Sequence, residues 1–393
     1  MTAAMFELPP IDRLRAALLA DEAAQLALAP LDDLGAFLDA IAAYASGLGL
    51  PLSREAFAVG LARAATPQAD LALPALRTTN APPRHWLPVE LKRHQGQVVV
   101  EWLHLAGQPL SESFFEESVR RVRTLPFNRL MRCATPLSAL DEFADAPPPD
   151  GLVFHMSRCG STLVGQMLGA VPENIVLSEP PLLDTMIRLA GRGSVRPGAI
   201  AKLAGALTRS RDDRAAHRFI KLDAWHAFVL PMLRALWPET PWIFLYRDPI
   251  EVLVSQQRRG GLHVRPGALP LDAYGVDAAQ ATGSYPVWIL DHICNAALSQ
   301  PDARRLLVNY SQLPDALMSS ILPHFGVAVD PAAADAIVAA GTRYSKMPGR
   351  NFVADSQAKQ REASDSLRRS AAPLLDTYAR LEAERLAQAA MPA

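Results

Sequence analysis

Apolar residues near the start of the chain recur at the spacing of amphipathic helices. Two runs place their large apolar side chains on one side of a helix, namely Leu14, Leu18 and Leu19, and then Leu34, Phe37, Leu38 and Ile41. Gly47 and Gly49 end the second run, and Ser53 stands where it can cap a third helix. The pattern predicts a small helical domain over residues 1–66.

The next part of the chain changes from helical spacing to prolines and then to β-like runs. Four prolines between residues 67 and 84 predict a linker. Residues 86–91 and 98–105 are rich in apolar and β-branched side chains and predict two strands, and a helix is expected to begin near Ser111. Residues 85–147 are therefore predicted to be an α+β segment, which ends at the prolines 147–149.

From Gly151 onward, short apolar runs alternate with stretches of helical spacing. The runs predict five strands, at residues 152–156, 175–177, 219–222, 242–246 and 306–309. Such strands, separated by helices, are typical of a parallel sheet that is buried on both faces. Residues 148–393 are thus predicted to be an α/β domain with a P-loop-like parallel sheet and helices on both faces. It is preceded by the small helical domain and the α+β segment.

Composition limits the kinds of partner that the chain can bind. The formal net charge of −1 gives no overall attraction to nucleic acid or to a membrane surface, so an anion site has to be built locally. No apolar run has the length of a membrane span, and the first residues lack the pattern of a signal peptide. The three cysteines have neither metal-ligand spacing nor a disulfide framework. We therefore expect a cytoplasmic protein with no metal, no nucleic-acid partner and no membrane partner.

A glycine-containing loop follows the first strand of the α/β domain and precedes a helix. Gly160 permits a tight turn, and the free amides at the start of a helix favour a bound anion. Arg158 can bind phosphate oxygens with two parallel hydrogen bonds. The loop of nucleotide triphosphatases needs a lysine before Ser161, where Gly160 stands instead. The loop predicts a phosphate site of another kind, or else a capped core helix beside an arginine.

A second cation stands at the end of the fourth predicted strand. Arg247 follows the apolar residues 242–246, and Pro249 opens a helix two residues later. Ser255 lies on that helix, eight residues after Arg247. An Arg-Asp-Pro sequence at a strand end is also found as a purely structural turn, so the motif alone leaves both interpretations open.

Taken in order, the loop and this second motif resemble the two donor-binding motifs of sulfotransferases that use 3′-phosphoadenosine 5′-phosphosulfate. The resemblance covers about residues 150–350 and is to bacterial-type members, closest in motif pattern to the tyrosylprotein sulfotransferase branch. It implies that Arg247 and Ser255 bind the 3′ phosphate of the donor. It also implies that the 5′ phosphosulfate end is bound by Arg158, Cys159, Gly160, Ser161, Thr162 and Leu163.

Two other segments resemble parts of known families. Residues 343–351 are basic, contain a glycine and are the candidate for the family's third donor motif, which implies that Arg350 binds a donor phosphate. A solvated turn is the other interpretation of this segment. Residues 49–53 are similar to the turn that ends the helical leader-like domains associated with nitrogen-fixation gene clusters. The predicted helical domain of residues 1–66 then either guides a substrate, or only packs or dimerises.

Sulfuryl transfer requires a cation near the transferring group and a base for the proton of the acceptor. Lysine is scarce, at 5 of the 39 basic residues, and the resemblance implies that Lys221, at the end of the third strand, is the cation. Two carboxylates compete for the role of base. Glu179 has the position of the catalytic glutamate in the tyrosylprotein branch, and Asp223 has that of the catalytic histidine in small-molecule sulfotransferases.

These observations predict an enzyme that transfers a sulfuryl group from 3′-phosphoadenosine 5′-phosphosulfate to a hydroxyl or amine by in-line displacement. The acceptor is expected to be a small molecule or a peptide, and the sequence does not indicate which. Nor does it indicate an oligomeric state. Two alternatives are a P-loop-like nucleotide phosphotransferase such as a kinase, and a non-catalytic protein that binds a nucleotide or a partner.

Overall fold

The computed structural model describes residues 8–63, 73–211, 214–342 and 355–390. These residues belong to two compact units. The first unit comprises the described parts of 1–109, 116–146 and 202–211, and the second comprises those of 110–115, 147–201 and 212–393. The division into four segments that we predicted from the sequence stays a prediction.

The helical pattern at the start of the first unit is confirmed. The helices are α1 (Pro10–Ala20), α2 (Glu22–Leu28), α3 (Leu34–Gly47) and α4 (Arg54–Arg63). Most of the predicted apolar positions are buried, with Leu14, Phe37 and Ile41 fully so. Ser53 caps α4 as expected, since its Oγ accepts a hydrogen bond of 3.3 Å from the amide of Ala56. Burial of one face of each helix builds this part of the core.

The first unit also contains a small mixed sheet. Its strands are β1 (Leu76–Arg77), β2 (Trp86–His94), β3 (Gln97–His104) and β4 (Cys133–Pro136), in the order β1-β4-β3-β2. Two helices lie between β3 and β4 in the chain, α5 (Phe115–Arg123) and α6 (Pro126–Leu130), so the helix expected near Ser111 begins four residues later. The sequence did not predict β1 and β4, because runs of two and four residues are too short to show an alternating pattern.

The five predicted strands of the second unit are all present and form one parallel sheet. They are β5 (Gly151–His155), β6 (Asn174–Ser178), β7 (His217–Lys221), β8 (Trp242–Tyr246) and β9 (Arg305–Asn309). The order across the sheet is β6-β7-β5-β8-β9, and all neighbouring pairs are parallel. Every residue of β5 and β8 is buried. Because successive side chains of a strand point to opposite faces, both faces of the sheet are covered, as the α/β prediction required.

Helices separate the strands of this sheet and follow them. They are α7 (Ser161–Leu168), α8 (Pro181–Gly191), α9 (Gly198–Leu207), α10 (Leu230–Leu236), α11 (Pro249–Arg258), α12 (Tyr285–Leu298), α13 (Leu322–His324), α14 (Pro331–Gly341), α15 (Ser356–Glu362), α16 (Asp365–Ser370) and α17 (Ala372–Ala390). Among the residues that the structure describes, no helix combines the length and the apolar character needed to cross a lipid bilayer.

The strand order fixes where a ligand can bind. After β5, at the centre, the chain builds β6 and β7 on one side and then β8 and β9 on the other. At such a switch point the connections leave in opposite directions, which opens a crevice at the carboxyl ends of the strands. The segments after β5, β6, β7 and β8 all reach this edge, and they carry the site residues predicted from the sequence.

Candidate active site

The glycine-containing loop connects β5 to α7. Gly160 is the residue before the helix and has a φ of +87°, a conformation that glycine adopts without strain. A Cβ at this position would lie 2.7 Å from the side chain of Leu313 and 2.9 Å from that of Tyr310. No side chain caps the first turn of α7, so its dipole and amides can act on a bound anion. Both the backbone conformation and the close packing therefore require glycine at position 160.

Cys159 lies in the loop but faces the protein interior. The side chain is fully buried, and its Sγ donates to the carbonyl of Leu245 at 3.1 Å. Burial raises the pKa of this thiol to about 12, so it is neutral at physiological pH. Cys159 connects the loop to β8. A direct contact of its thiol with the donor, which the resemblance implied, stays a prediction.

Arg247 stands at the end of β8, where the sequence predicted the second anion-binding element. Its Nε donates to Glu251 at 2.6 Å, and its Nη2 donates to Asp355 at 2.7 Å. The guanidinium carbon lies 3.9 Å from the centre of the Tyr310 ring, so the group is stacked as well as hydrogen-bonded. Ser255, one further turn into α11, contributes to the same cavity wall.

Lys359 is a cation of this site that the sequence analysis did not assign. It lies on α15, is only 4% exposed, and pairs with Asp355 at 2.8 Å. It lines the same cavity as Arg247. The scarcity of lysine was the one signal that could have identified it, because α15 itself shows no motif. Residues 343–351, with Arg350, lie outside the described residues.

Lys221 and Glu179 form an ion pair beneath the cavity. Lys221, the last residue of β7, is completely buried, and its Nζ bonds to Oε1 of Glu179. Glu179 follows β6 and lines the cavity, whereas Lys221 is not among the described residues that do so. The same oxygen of Glu179 lies 3.2 Å from Nε2 of His155, a residue that the sequence analysis did not assign. Burial alone would raise the pKa of Glu179, but Lys221 and His155 outweigh it and hold the pKa well below its usual range.

Asp223 has the opposite electrostatic environment. Burial, followed by the nearby carboxylates of Glu179 and Asp184, raises the pKa of Asp223 well above its usual range. Because like charges at close range oppose each other's ionisation, Asp223 is the member of this carboxyl pair whose protonated form is favoured.

Asp184, on α8, is the centre of a hydrogen-bonded group beside Asp223. Its carboxylate accepts bonds from His226 at 3.0 Å, Trp225 at 2.9 Å and Tyr274 at 2.5 Å. Asp184, Asp223 and His226 have the composition of a small metal site, with ligand atoms within 4.8 Å of one another. The donors already present occupy Asp184, however, and they position the Trp225 ring at the cavity wall.

One cavity of about 680 Å³ brings these elements together, and all of its lining residues belong to the second unit. The predicted site residues on its wall are Arg158, Gly160, Ser161, Thr162, Leu163, Glu179, Asp223, Arg247 and Ser255. The same wall carries side chains that can contact an acceptor, namely Phe114, Trp225, Leu262 and His263. It also carries Arg247, Lys359 and Tyr310. The arrangement suits an anionic ligand with a reacting group near the carboxylates.

Comparisons with known proteins find similarity to solved structures at low sequence identity. The chain matches no protein-family model, and no curated protein matches it either. Three of the solved structures that are similar to part of it are each described as a sulfotransferase or a sulfotransferase domain. Sulfotransferase STF9 from Mycobacterium avium is 12% identical with a TM-score of 0.36, over 56% of this chain and 76% of that one.

The other two structures give similar values. The sulfotransferase domain from the curacin biosynthetic pathway is 15% identical with a TM-score of 0.34, over 58% of this chain and 98% of that one. Sulfotransferase STF1 from Mycobacterium tuberculosis is 16% identical with a TM-score of 0.31, over 65% and 87%. We infer no activity from TM-scores this low, and a function has to be supported by the cavity itself.

Proposed function

We propose that this protein is a sulfotransferase that uses 3′-phosphoadenosine 5′-phosphosulfate as donor. The observation that carries the proposal is that two separate anion-binding elements, the loop of Gly160 and the strand end of Arg247, open into one cavity beside a carboxyl pair. A donor with phosphate groups at both ends of a nucleoside requires two such elements, whereas one would suffice for a nucleoside triphosphate.

The residues of the cavity fit this donor in charge and in shape. The first turn of α7 and Arg158 bind the 5′ phosphosulfate end, and Arg247 with Ser255 binds the 3′ phosphate. The absence of a Cβ at Gly160 keeps the loop close to Tyr310, which in turn stacks on Arg247. The two elements are therefore in contact with each other, which sets the spacing between the two anion sites.

The reaction that we propose is a direct displacement at sulfur. The acceptor oxygen or nitrogen bonds to sulfur while the bond from sulfur to the bridging phosphate oxygen breaks, and 3′-phosphoadenosine 5′-phosphate leaves. The acceptor becomes strongly acidic as its bond to sulfur forms, so a carboxylate of low pKa can take its proton at that stage. Glu179, whose pKa is held low, has this role, and Asp223 is the neighbour whose protonated form is favoured. Lys221 fixes and neutralises Glu179 from below the cavity.

The position of Glu179 supports the tyrosylprotein-like branch, with a small molecule or a peptide as acceptor. The apolar and aromatic side chains of Phe114, Trp225 and Leu262 would contact it. All three cysteines are free, which supports a reducing compartment such as the cytoplasm. A leader-like role for the helices near the start of the chain stays a prediction.

The donor site is tested by calorimetric titration with 3′-phosphoadenosine 5′-phosphate in EDTA, beside ATP with magnesium. We expect the 3′-phosphorylated nucleotide to bind tighter, and Arg247→Ala to lose roughly 10- to 100-fold in affinity, the value of a charged hydrogen bond or two. Arg304→Ala is the control, since Arg304 pairs with Glu239 and is half exposed. A preference for magnesium-ATP would overturn the donor assignment in favour of a phosphotransferase.

The catalytic roles are tested by separating turnover from binding. With water as the acceptor, turnover is measured as inorganic sulfate released from 3′-phosphoadenosine 5′-phosphosulfate. The Glu179→Ala, Lys221→Ala double variant should lose at least about 100-fold in this rate, as expected for removal of a general base. It should still bind 3′-phosphoadenosine 5′-phosphate. If the variant binds the nucleotide and releases sulfate as fast as the unmodified protein does, neither residue belongs to the mechanism. If the unmodified protein itself releases no sulfate, a non-catalytic role is favoured.

A further inference from the structure

Backbone strain is concentrated at the cavity. Among the described residues, five that are not glycine have a positive φ, and three of these line the cavity: Ser157 at +77°, Arg158 at +53° and Glu179 at +53°. Such a conformation is strained and persists only where its surroundings hold it. The three belong to two different segments, the loop after β5 and the residue after β6.

His155 contacts both strained segments with the two nitrogens of one ring. It is the last residue of β5 and is 4% exposed. The amide of Ser157 donates to its Nδ1 at 3.0 Å, and its Nε2 lies 3.2 Å from Oε1 of Glu179. Because Nδ1 accepts, the neutral ring carries its proton on Nε2 and donates it to the carboxylate.

The surroundings of His155 favour this neutral form. Burial lowers the pKa of His155, and the charge of Lys221 lowers it further, although Glu179 opposes both. The neutral ring therefore donates a hydrogen bond to Glu179 without placing a second full positive charge beside Lys221. Nε2 of His155 and Nζ of Lys221 both bind Oε1 of Glu179, which fixes the carboxylate plane and leaves Oε2 free of these two contacts.

We propose that His155 is a positioning residue that couples the phosphate loop to the carboxylate of Glu179. Its Nδ1 holds the strained amide of Ser157 in place for donor binding, and its Nε2 proton aims Glu179 at the acceptor. The inference rests on the proposed function, because it assigns to one ring the alignment of the donor end and the base. Neither contact brings His155 itself to the reacting atoms.

Two substitutions separate the two contacts. The amide oxygen of asparagine falls where Nδ1 stands, so His155→Asn keeps an acceptor for Ser157 and loses the donor to Glu179. The amide nitrogen of glutamine reaches the place of Nε2, so His155→Gln keeps that donor and loses the acceptor. His324→Asn and His324→Gln are matched controls, because His324 bonds to the carbonyl of Trp242 at the start of β8, the opposite edge of the sheet.

The experiment measures the affinity for 3′-phosphoadenosine 5′-phosphate and the release of sulfate for each variant. We expect His155→Gln to bind about fivefold more weakly than His155→Asn, and His155→Asn to release sulfate about fivefold more slowly from saturating donor than His155→Gln. These ratios correspond to one hydrogen bond of about 1 kcal/mol in each readout. A merely structural role predicts that both readouts fall together in both variants, and that result would overturn the proposal.

A measurement that needs no ligand keeps the inference separate from the proposed function. If the unmodified protein does not bind 3′-phosphoadenosine 5′-phosphate, the proposed function fails, and the coupling is still tested by nitrogen-15 NMR of the His155 ring. We expect the Nε2-protonated tautomer at pH 7, and slow exchange of the Ser157 amide that is lost in His155→Gln and retained in His155→Asn. An Nδ1-protonated ring, or equal exchange in the two variants, would overturn the coupling itself.

Discussion

The carboxylate of Asp355 accepts a hydrogen bond of 2.7 Å from the guanidinium of Arg247, across 108 residues of the chain. The same carboxylate binds Lys359 at 2.8 Å. Burial would raise the pKa of Asp355, but these two cations outweigh it and hold the pKa below its usual value. An acidic side chain thus stands where the proposed 3′ phosphate has to reach Arg247. In the proposed function, the 3′ phosphate would compete with Asp355 for Arg247 and exchange with it at this hydrogen bond.

This exchange predicts that removing the charge of Asp355 strengthens binding. Asp355→Asn is expected to raise the affinity for 3′-phosphoadenosine 5′-phosphate by about 3- to 10-fold, the value of one charged hydrogen bond that no longer competes. Calorimetry at fixed ionic strength measures the effect. Asp365→Asn is the control, because Asp365 lies in the first turn of the next helix, α16. A weaker complex of Asp355→Asn would mean that Asp355 supports the site instead of competing for it.

The close packing at Gly160 predicts that a single methyl group disturbs both anion sites. In Gly160→Ala the new Cβ meets Tyr310, which stacks on Arg247, so the affinity for 3′-phosphoadenosine 5′-phosphate should fall at least about tenfold. Gly193→Ala is the matched control, since Gly193 also has a positive φ, of +69°, but has nothing within 4 Å of the added Cβ. Both variants should lose about 1 kcal/mol of stability from the backbone conformation. Equal affinity in the two variants would contradict the proposed contact.

The buried ion pair predicts a non-additive effect on stability. Lys221→Met leaves the partly exposed carboxylate of Glu179 without its cation, which should lower the free energy of unfolding by about 1.5–3 kcal/mol. Adding Glu179→Gln removes the uncompensated charge and should restore a large part of this loss. Urea unfolding of the two single variants and the double variant measures the coupling. If the single losses simply add, the pair is not a unit in the folded protein.

The raised pKa of Asp223 predicts a dependence of stability on pH. Because the folded state favours the protonated acid, the stability from this group is fully present below about pH 4 and is lost as the pH rises toward the raised pKa. The asparagine of Asp223→Asn does not ionise. The free energy of unfolding of this variant should therefore rise relative to that of the unmodified protein as the pH rises, by up to about 1.4 kcal/mol per pH unit. Thermal unfolding from pH 4 to pH 8 measures this difference.

The pKa of Asp184 is shifted in the opposite direction to that of Asp223, so Asp184 provides the control for this prediction. Burial would raise the pKa of Asp184, but its hydrogen bonds from His226, Trp225 and Tyr274 lower it. The stability from Asp184 is therefore present above about pH 4 and is lost as the pH falls. Asp184→Asn should be less stable than the unmodified protein at pH 7, with the difference shrinking in acid. The same trend in both variants would show that one of the two environments is wrongly assigned.

The sequence predicted the framework of the site because that framework depends on local patterns. Five apolar runs predicted the five strands of the parallel sheet, and each was found within two residues of its expected start. Arg247 was recognisable because it directly follows such a run, and Gly160 because it lies four residues beyond one. By contrast, β1 and β4 were missed, since their two and four residues carry no periodic signal and form only by pairing with other strands.

Local sequence patterns therefore specify the α/β fold and the residues that stand at the carboxyl ends of its strands. The packing of the whole chain selects which charges meet there: Lys221 with Glu179 instead of the open cavity, Arg247 with Asp355, and His155 between the loop and the base. The difference arises from the range of the interactions. A strand or a helix start reflects the preferences of neighbouring residues, whereas an ion pair across 42 or 108 residues depends on how the whole chain packs.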